Sequence, residues 1–232
     1  MVKSAKFLSK YYGENGDYLK EHTRFLDSAN IQKDLIFLIK ALKLKKNDVI
    51  LDIACGQGRH TNTLSEKGYL VDGVDFSRYL LGKAKEDAQK ITKRKPDYYK
   101  ANIEKLKLKK KYDKAYWFFS DLANINIEKM TASLSHNIKV DGEILIDTDN
   151  IFRIISYLIK NPNSLYIFDA KNLELIDKKT KLKVLYPTYH LWNQWLKKAG
   201  FSIKSVVGNY DFSPYSLNSP RLILIAKKSP KS

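Results

Sequence analysis

Apolar residues recur along this chain with two different periods. Short, strand-like runs stand at VILDI (49–53), YLVDGVD (69–75), residues 98–101, KAYWFF (114–119) and EILIDT (143–148). Between them lie stretches with helical spacing. In residues 31–42, Ile31, Leu35, Leu38, Ile39 and Leu42 share one side, and helices are also expected over 58–67, 77–92 and 126–139. Gly68 and Pro96 punctuate the second and third helical segments. Strand and helix in alternation predict a parallel sheet with both faces covered.

The ends of the chain depart from this rhythm. Residues 3–12 and 17–26 carry Phe7, Tyr11, Tyr12, Tyr18, Phe25 and Leu26 at mixed helical spacing, broken around Gly13 to Gly16. Between 164 and 187, SLYIFD, LELIDKK and KLKVLYP are short β-prone pieces around polar turns, which predicts an antiparallel insertion. A helix over 189–198, stopped by Gly200, leads to two closing strands in FSIKSVVGNYDF and PRLILIAKK. The expected architecture is one α/β domain over residues 1–232. Residues 1–30 form a helical lid and 160–187 a β insertion that walls a pocket.

Composition narrows the function. The apolar fraction of 44% fits a sizeable core, and no apolar run approaches the length of a membrane span. The N-terminus has no apolar stretch followed by a cleavage site, so a cytoplasmic protein with no membrane partner is expected. Cys55 is the lone cysteine, and the four histidines include no HExxH pair, so no metal site is expected. The net charge of +17 favours anionic partners, and residues 83–111 hold twelve Lys or Arg against four acids. Yet 36 of the 42 basic residues are lysine, whereas base and phosphate readout leans on arginine forks. The charge therefore raises a nucleic-acid partner without establishing one.

The informative stretch is LDIACGQGRH (51–60). Gly56 and Gly58 fall where the first strand turns into its helix, at the carboxyl edge of the sheet where ligands of open α/β folds bind. Missing Cβ atoms there permit a sharp turn and close approach to the main chain. Asp75 ends the second strand, 23 residues after Asp52, near the offset at which an acid accepts both hydroxyls of a ribose. A carboxylate has two acceptor oxygens for the two donors of a vicinal diol. Asp72 is the rival acid, although Gly73 and Val74 extend the strand beyond it. A dinucleotide fingerprint would need a third glycine where Thr61 stands, and no GK[ST] follows for a phosphate loop. The turn suits a nucleoside without a pyrophosphate.

LDIACGQGRHTNTLSEKGYLVDGVDFS resembles the first two motifs of the class I S-adenosylmethionine-dependent methyltransferases, and its CGQGRH form is similar to a broad group within them. The likeness runs over roughly residues 31–150 and more loosely through the closing AGF and SPRLILIAKK. It implies a Rossmann-like seven-stranded sheet with helices on both faces, S-adenosylmethionine as methyl donor and S-adenosylhomocysteine as product. By the same resemblance, Asp52 and the Ala54–Gly58 backbone cradle the methionine part. Asp75 takes the ribose, Phe76 lies against the adenine, and Asn102 meets its amine with Ile103 alongside. Trp117 to Phe119 border the methyl group, and Ser120 opens the next loop. Ala54 replaces a common glycine, and Asn102 a common aspartate. Arg59 suits the methionine carboxylate, because a guanidinium fork pairs with it in bidentate geometry. His60 is read as a capping or packing residue.

A sulfonium methyl is electrophilic without further activation, so alignment and exclusion of water are what such a protein must supply. No catalytic acid or base is assigned. Tyr11, Tyr18, Arg24, Phe119, Ser120, Tyr186 and His190 are the candidates for the acceptor pocket. Ser120-Asp121-Leu122-Ala123 stands where relatives that methylate base amino groups often carry N-P-P-Y or D-P-P-Y. A small molecule methylated at N or O is the favoured acceptor. The alternative is RNA or another nucleic acid bound by 83–111, with Tyr98 and Tyr99 stacking on bases. A monomer or homodimer is expected.

Overall fold

The VILDI stretch forms β1 (Val49–Ile53), whose alternate residues enter two separate hydrophobic layers. On one face Ile50 meets Leu35, Leu38 and Leu42, together with Leu64. On the other, Leu51 and Ile53 join Met130, Leu134, Trp192 and Leu196. These contacts come from a computed structural model, which describes residues 7–8, 10–21, 27–120, 122–123 and 125–230.

The helices are α1 (Tyr18–Glu21), α2 (Ser28–Leu42), α3 (Arg59–Glu66), α4 (Arg78–Ala88), α5 (Ile127–Asn137), α6 (Ile151–Lys160) and α7 (Tyr189–Lys198). Side chains of Asp27, Ser77, Asn126, Asn150 and Thr188 accept backbone N–H groups at the starts of α2, α4, α5, α6 and α7, which fixes where each begins. The remaining strands are β2 (Leu70–Asp75), β3 (Tyr98–Lys100), β4 (Tyr112–Trp117), β5 (Ile138–Asp149), β6 (Tyr166–Asp169), β7 (Glu174–Asp177), β8 (Lys183–Leu185), β9 (Phe201–Val207) and β10 (Arg221–Lys228).

Seven strands form the main sheet in the order β3-β2-β1-β4-β5-β10-β9. The first five are parallel, while β10 runs antiparallel to both β5 and β9. Chain order reverses between β1 and β4, so the carboxyl ends of β1, β2 and β4 open on one crevice. The expected Rossmann-like seven-stranded fold is what the chain adopts, with N-terminal helical structure and a small antiparallel sheet, β6-β7-β8, added to it.

Several boundaries differ from expectation. KAYWFF ends as a strand at Trp117, because Phe119 takes a left-handed backbone at φ 52°. The fifth strand is twice the expected length and begins directly after α5. The ninth ends at Val207, and the residues after it form a loop. Helix α6 was not anticipated: IFRIISYLIK is rich in β-branched residues and lies beside an insertion read as strands. Only Ile151 of it is buried.

Candidate functional site

The loop after β1 is built on unusual torsions. Ala54, Gly56 and Gly58 have φ of 55°, 56° and 79°, a left-handed region that residues with a Cβ enter at a cost. The two glycines serve different ends. A Cβ on Gly58 would fall 2.4 Å from the Tyr98 hydroxyl and 2.9 Å from Ala84, so close packing behind the loop excludes it. A Cβ on Gly56 would meet nothing nearer than Leu80 and the Tyr18 hydroxyl, each at 3.9 Å. Close packing therefore excludes a side chain at Gly58 and not at Gly56.

Asp75 closes β2 and is buried, and it ties the loop to the next helix. Its Oδ2 accepts the Gly56 N–H at 2.9 Å and its Oδ1 accepts the Ser77 N–H at 2.8 Å. The Phe76 N–H adds a third, smaller main-chain contribution to this carboxylate. Burial raises its pKa, against the lowering effect of those N–H groups. Asp72 lies one residue out of phase with Asp75 and points to the other face of the sheet. There it meets Lys110 at 2.6 Å, Arg94 at 3.6 Å and the Tyr112 hydroxyl at 3.1 Å. It is committed to that cluster, which separates the two acids.

Asp52 is buried inside β1, with Oδ2 accepting the Thr61 hydroxyl at 2.6 Å. Burial pushes its carboxyl up to about 7, against opposing contributions that include Thr61 and Arg59. Thr61, standing where a dinucleotide site would have glycine, is therefore the hydroxyl partner of the motif acid.

His60 is enclosed and donates from Nε2 to Asp34 of α2 at 3.0 Å, a tautomer assigned from that bond. Burial lowers its pKa, partly offset by Asp34. It fastens α2 to α3, in keeping with a packing role. The Arg59 guanidinium lies 3.9 Å from Asp34 and 5.1 Å from the Phe119 ring centre.

The N-terminal segment covers the β2 side of the crevice. Tyr11, Tyr12 and Tyr18 form one aromatic cluster, and Tyr12 meets Phe76 edge-on at 5.3 Å. The Ser77 hydroxyl donates to the Tyr12 carbonyl at 2.7 Å. A cavity of about 170 Å³ remains here, lined by Tyr12, Gly13, Phe76, Ser77, Arg78 and Lys100. Asn102 stands past β3, where its Oδ1 accepts the Glu104 N–H at 2.8 Å and caps a 3-10 turn that buries Ile103.

Trp117 is wholly buried in the core layer below the β4 end, and its indole N–H has no protein partner. Phe119 and Ser120 form the loop above it. The insertion reaches this loop through a bridge between Ala123 and Val184 of β8. Tyr186 follows β8, with its N–H donated to Leu173 at 2.8 Å. His190 is exposed on α7 and bonds Gln194. Arg24 lies outside the described residues. Tyr98 is not a surface stacking residue: its ring packs behind Gly58 and Gly73, and its hydroxyl bonds Asn62 at 2.6 Å.

Three residues at the β4 loop were missed in the sequence. Asp147 of β5 accepts Arg221 at 2.7 Å, Tyr210 at 3.0 Å and the Phe119 N–H at 2.9 Å. The available signal was an acid inside the apolar run EILIDT, since a buried carboxylate needs a cation. Among the described residues no cluster of three or more His, Cys, Asp or Glu could hold a metal ion, and no helix is long and apolar enough to cross a membrane.

Residues 50–142, which carry this loop and both acids, match the family model described as "Methyltransferase domain". The ubiquinone biosynthesis O-methyltransferase of Pelagibacter ubique is 31% identical over 202 residues, covering 84% of this chain and 76% of that protein. Among solved structures, an S-adenosylmethionine-dependent methyltransferase from Clostridium acetobutylicum superposes with a TM-score of 0.70 at 17% identity, over 92% of this chain and 99% of that one. The 1,6-didemethyltoxoflavin-N1-methyltransferase of Burkholderia thailandensis gives 0.65 at 16% identity, over 99% and 88%. Sheet order, glycine loop, terminal acid of β2 and sequence relatives agree, and the chain belongs to the class I S-adenosylmethionine-dependent methyltransferases.

Proposed function

We propose that this protein methylates a nitrogen or oxygen of a small molecule held between the β4 loop and the small antiparallel sheet. The observation that carries this reading is the bridge from Val184 to Ala123, which joins the insertion to the loop where the family's methyl group lies. The β6-β7-β8 sheet then serves as pocket wall and the N-terminal segment as cover.

The chain's own residues fit the donor. Asp75 closes β2 beside the glycine loop, where its carboxylate takes the ribose diol, and Gly56 leaves room beside the main chain. Phe76, which is exposed, offers a face to the adenine beside Asn102 and Ile103. Arg59 opens α3 next to the loop and takes the methionine carboxylate. Asp52 lends negative charge beneath a cationic ligand. S-adenosylmethionine supplies an electrophilic methyl on its sulfonium. Tyr12 and Tyr18, already over the crevice, exclude water from it.

The basic segment supports a nucleic-acid acceptor less well than its composition suggests. Lys83, Lys90, Arg94 and Lys110 face carboxylates, and Lys111 donates to the His136 carbonyl. The test is transfer of labelled methyl groups to a host extract, separated afterwards into RNA, protein and small molecules. Label is expected among the small molecules. Label chiefly in RNA would refute the proposal.

A further inference from the structure

At the start of the loop that follows β4, Phe119 and Ser120 are both bonded to one residue, Asp147. Asp147 has no exposed surface, and its carboxylate accepts the Phe119 N–H, the Tyr210 hydroxyl and Arg221 Nε. Its main-chain carbonyl accepts both the N–H of Ser120, at 3.0 Å, and the Ser120 hydroxyl, at 2.6 Å. Three of these five bonds end on Phe119 and Ser120. Phe119 needs them, because at φ 52° it occupies a region that a residue with a Cβ keeps only when its surroundings hold it there.

The held ring has a purpose visible in its neighbours. The Phe119 ring has two guanidinium groups near it, Arg59 at 5.1 Å and Arg221 at 5.5 Å from its centre. Both guanidinium groups have carboxylates beside them, which offsets the repulsion between two cations at one ring. Asp147 and Asp149 do this for Arg221, and Asp34 lies near Arg59. Arg221 is thereby anchored, and the ring becomes a fixed surface against which Arg59 rests. Arg59 follows Gly58 directly, at the edge of the cofactor loop.

We propose that Asp147 is a positioning residue for the cofactor: by fixing Phe119 in its left-handed turn, it sets the ring that aims the Arg59 guanidinium at the methionine carboxylate. The inference rests on the donor-site reading above. It connects the far half of the sheet, β5 and β10, to a binding group that the sequence places wholly within the first half.

Calorimetric titration with S-adenosylmethionine and with adenosine tests it, since adenosine lacks the carboxylate. Asp147→Asn and Phe119→Leu are each expected to weaken S-adenosylmethionine binding about tenfold. Adenosine binding should stay within about twofold of wild type. In an Arg59→Ala background, the Asp147→Asn change should add less than about twofold, because the group it positions is gone. Equal losses for both ligands, or fully additive losses in the double variant, would mean a general structural role and overturn the proposal. An unchanged affinity in Asp147→Asn would do the same. If Asp147→Asn does not fold, Tyr210→Phe and Phe119→Leu carry the same comparison, because both leave the Arg221 carboxylates in place. Wild-type protein that binds neither ligand would instead defeat the donor-site reading, together with the inference built on it.

Discussion

Replacing Asp52 by Asn should make the protein more stable, and increasingly so as pH rises. Asp52 is 3% exposed and has the Thr61 hydroxyl as a hydrogen-bond partner. Burial moves its carboxyl from 3.8 to about 7. Its folded pKa is raised, so folding retains a proton that the unfolded chain loses. The stability contributed by that proton is fully present below pH 3.8 and is lost as pH rises through 7. At 1.36 kcal/mol per pH unit, the whole interval amounts to about 4 kcal/mol. Between about pH 5.5 and 8.5, only the stretch up to 7 contributes, or about 2 kcal/mol. Asn carries no charge at either pH. Urea unfolding at the two pH values should therefore show the advantage of Asp52→Asn growing by about 2 kcal/mol at the higher pH. Comparing variant with wild type at each pH cancels the titration of other buried acids such as Asp75 and Asp147. The cost appears in binding, because a cationic ligand favours the ionised carboxylate. Wild-type affinity for S-adenosylmethionine should climb as pH approaches 7, by at most about tenfold per unit, and more steeply than the variant's, which keeps only the dependence due to groups such as Asp75. A stability difference that is the same at both pH values would mean that Asp52 titrates normally, and would refute this reasoning.

Asp75→Ala should reduce affinity for S-adenosylmethionine by about 1.5–3 kcal/mol in calorimetry; because it also frees the Gly56 and Ser77 N–H groups, its unfolding midpoint should fall as well. The two glycines should separate in paired assays of binding and stability. Gly56→Ala is expected to abolish most ligand binding for about 1 kcal/mol of stability, whereas Gly58→Ala, with its Cβ against Tyr98, should cost about 2–3 kcal/mol. Similar stability losses in both would contradict the assignment of space at Gly56. Asp72→Asn should destabilise the fold by about 1–3 kcal/mol in chemical denaturation, since it weakens the contacts with the partly exposed Lys110 and Arg94 and the Tyr112 hydroxyl, and should spare ligand affinity. A loss of binding without a loss of stability would return Asp72 to the ribose.

The first half of the domain was legible in the sequence because its determinants are local. The apolar alternation of VILDI and YLVDGVD, the glycines between them and the acid closing the second strand all fall within 27 residues, 49–75. They define a strand, a turn and a ligand edge without reference to the rest of the chain. Local pattern also located α2 and α7, whose apolar stripes enter opposite core layers. It left α6 unread, where β-branched residues are frequent and most of the apolar surface stays outside the core. The roles of the two glycines could not be told apart, since Gly58 is excluded by Tyr98, which lies 40 residues on. Likewise, nothing near EILIDT announces Arg221, 74 residues away, or the left-handed turn that Asp147 imposes on Phe119. Such pairings exist only once β10 inserts antiparallel beside β5, a register chosen by burial of both strands together. Sequence determined the strand, turn and strand that carry Gly56, Gly58 and Asp75, because backbone geometry and short-range chemistry define them. The opposite edge was decided by tertiary structure alone, where buried charges had to find partners from distant parts of the chain.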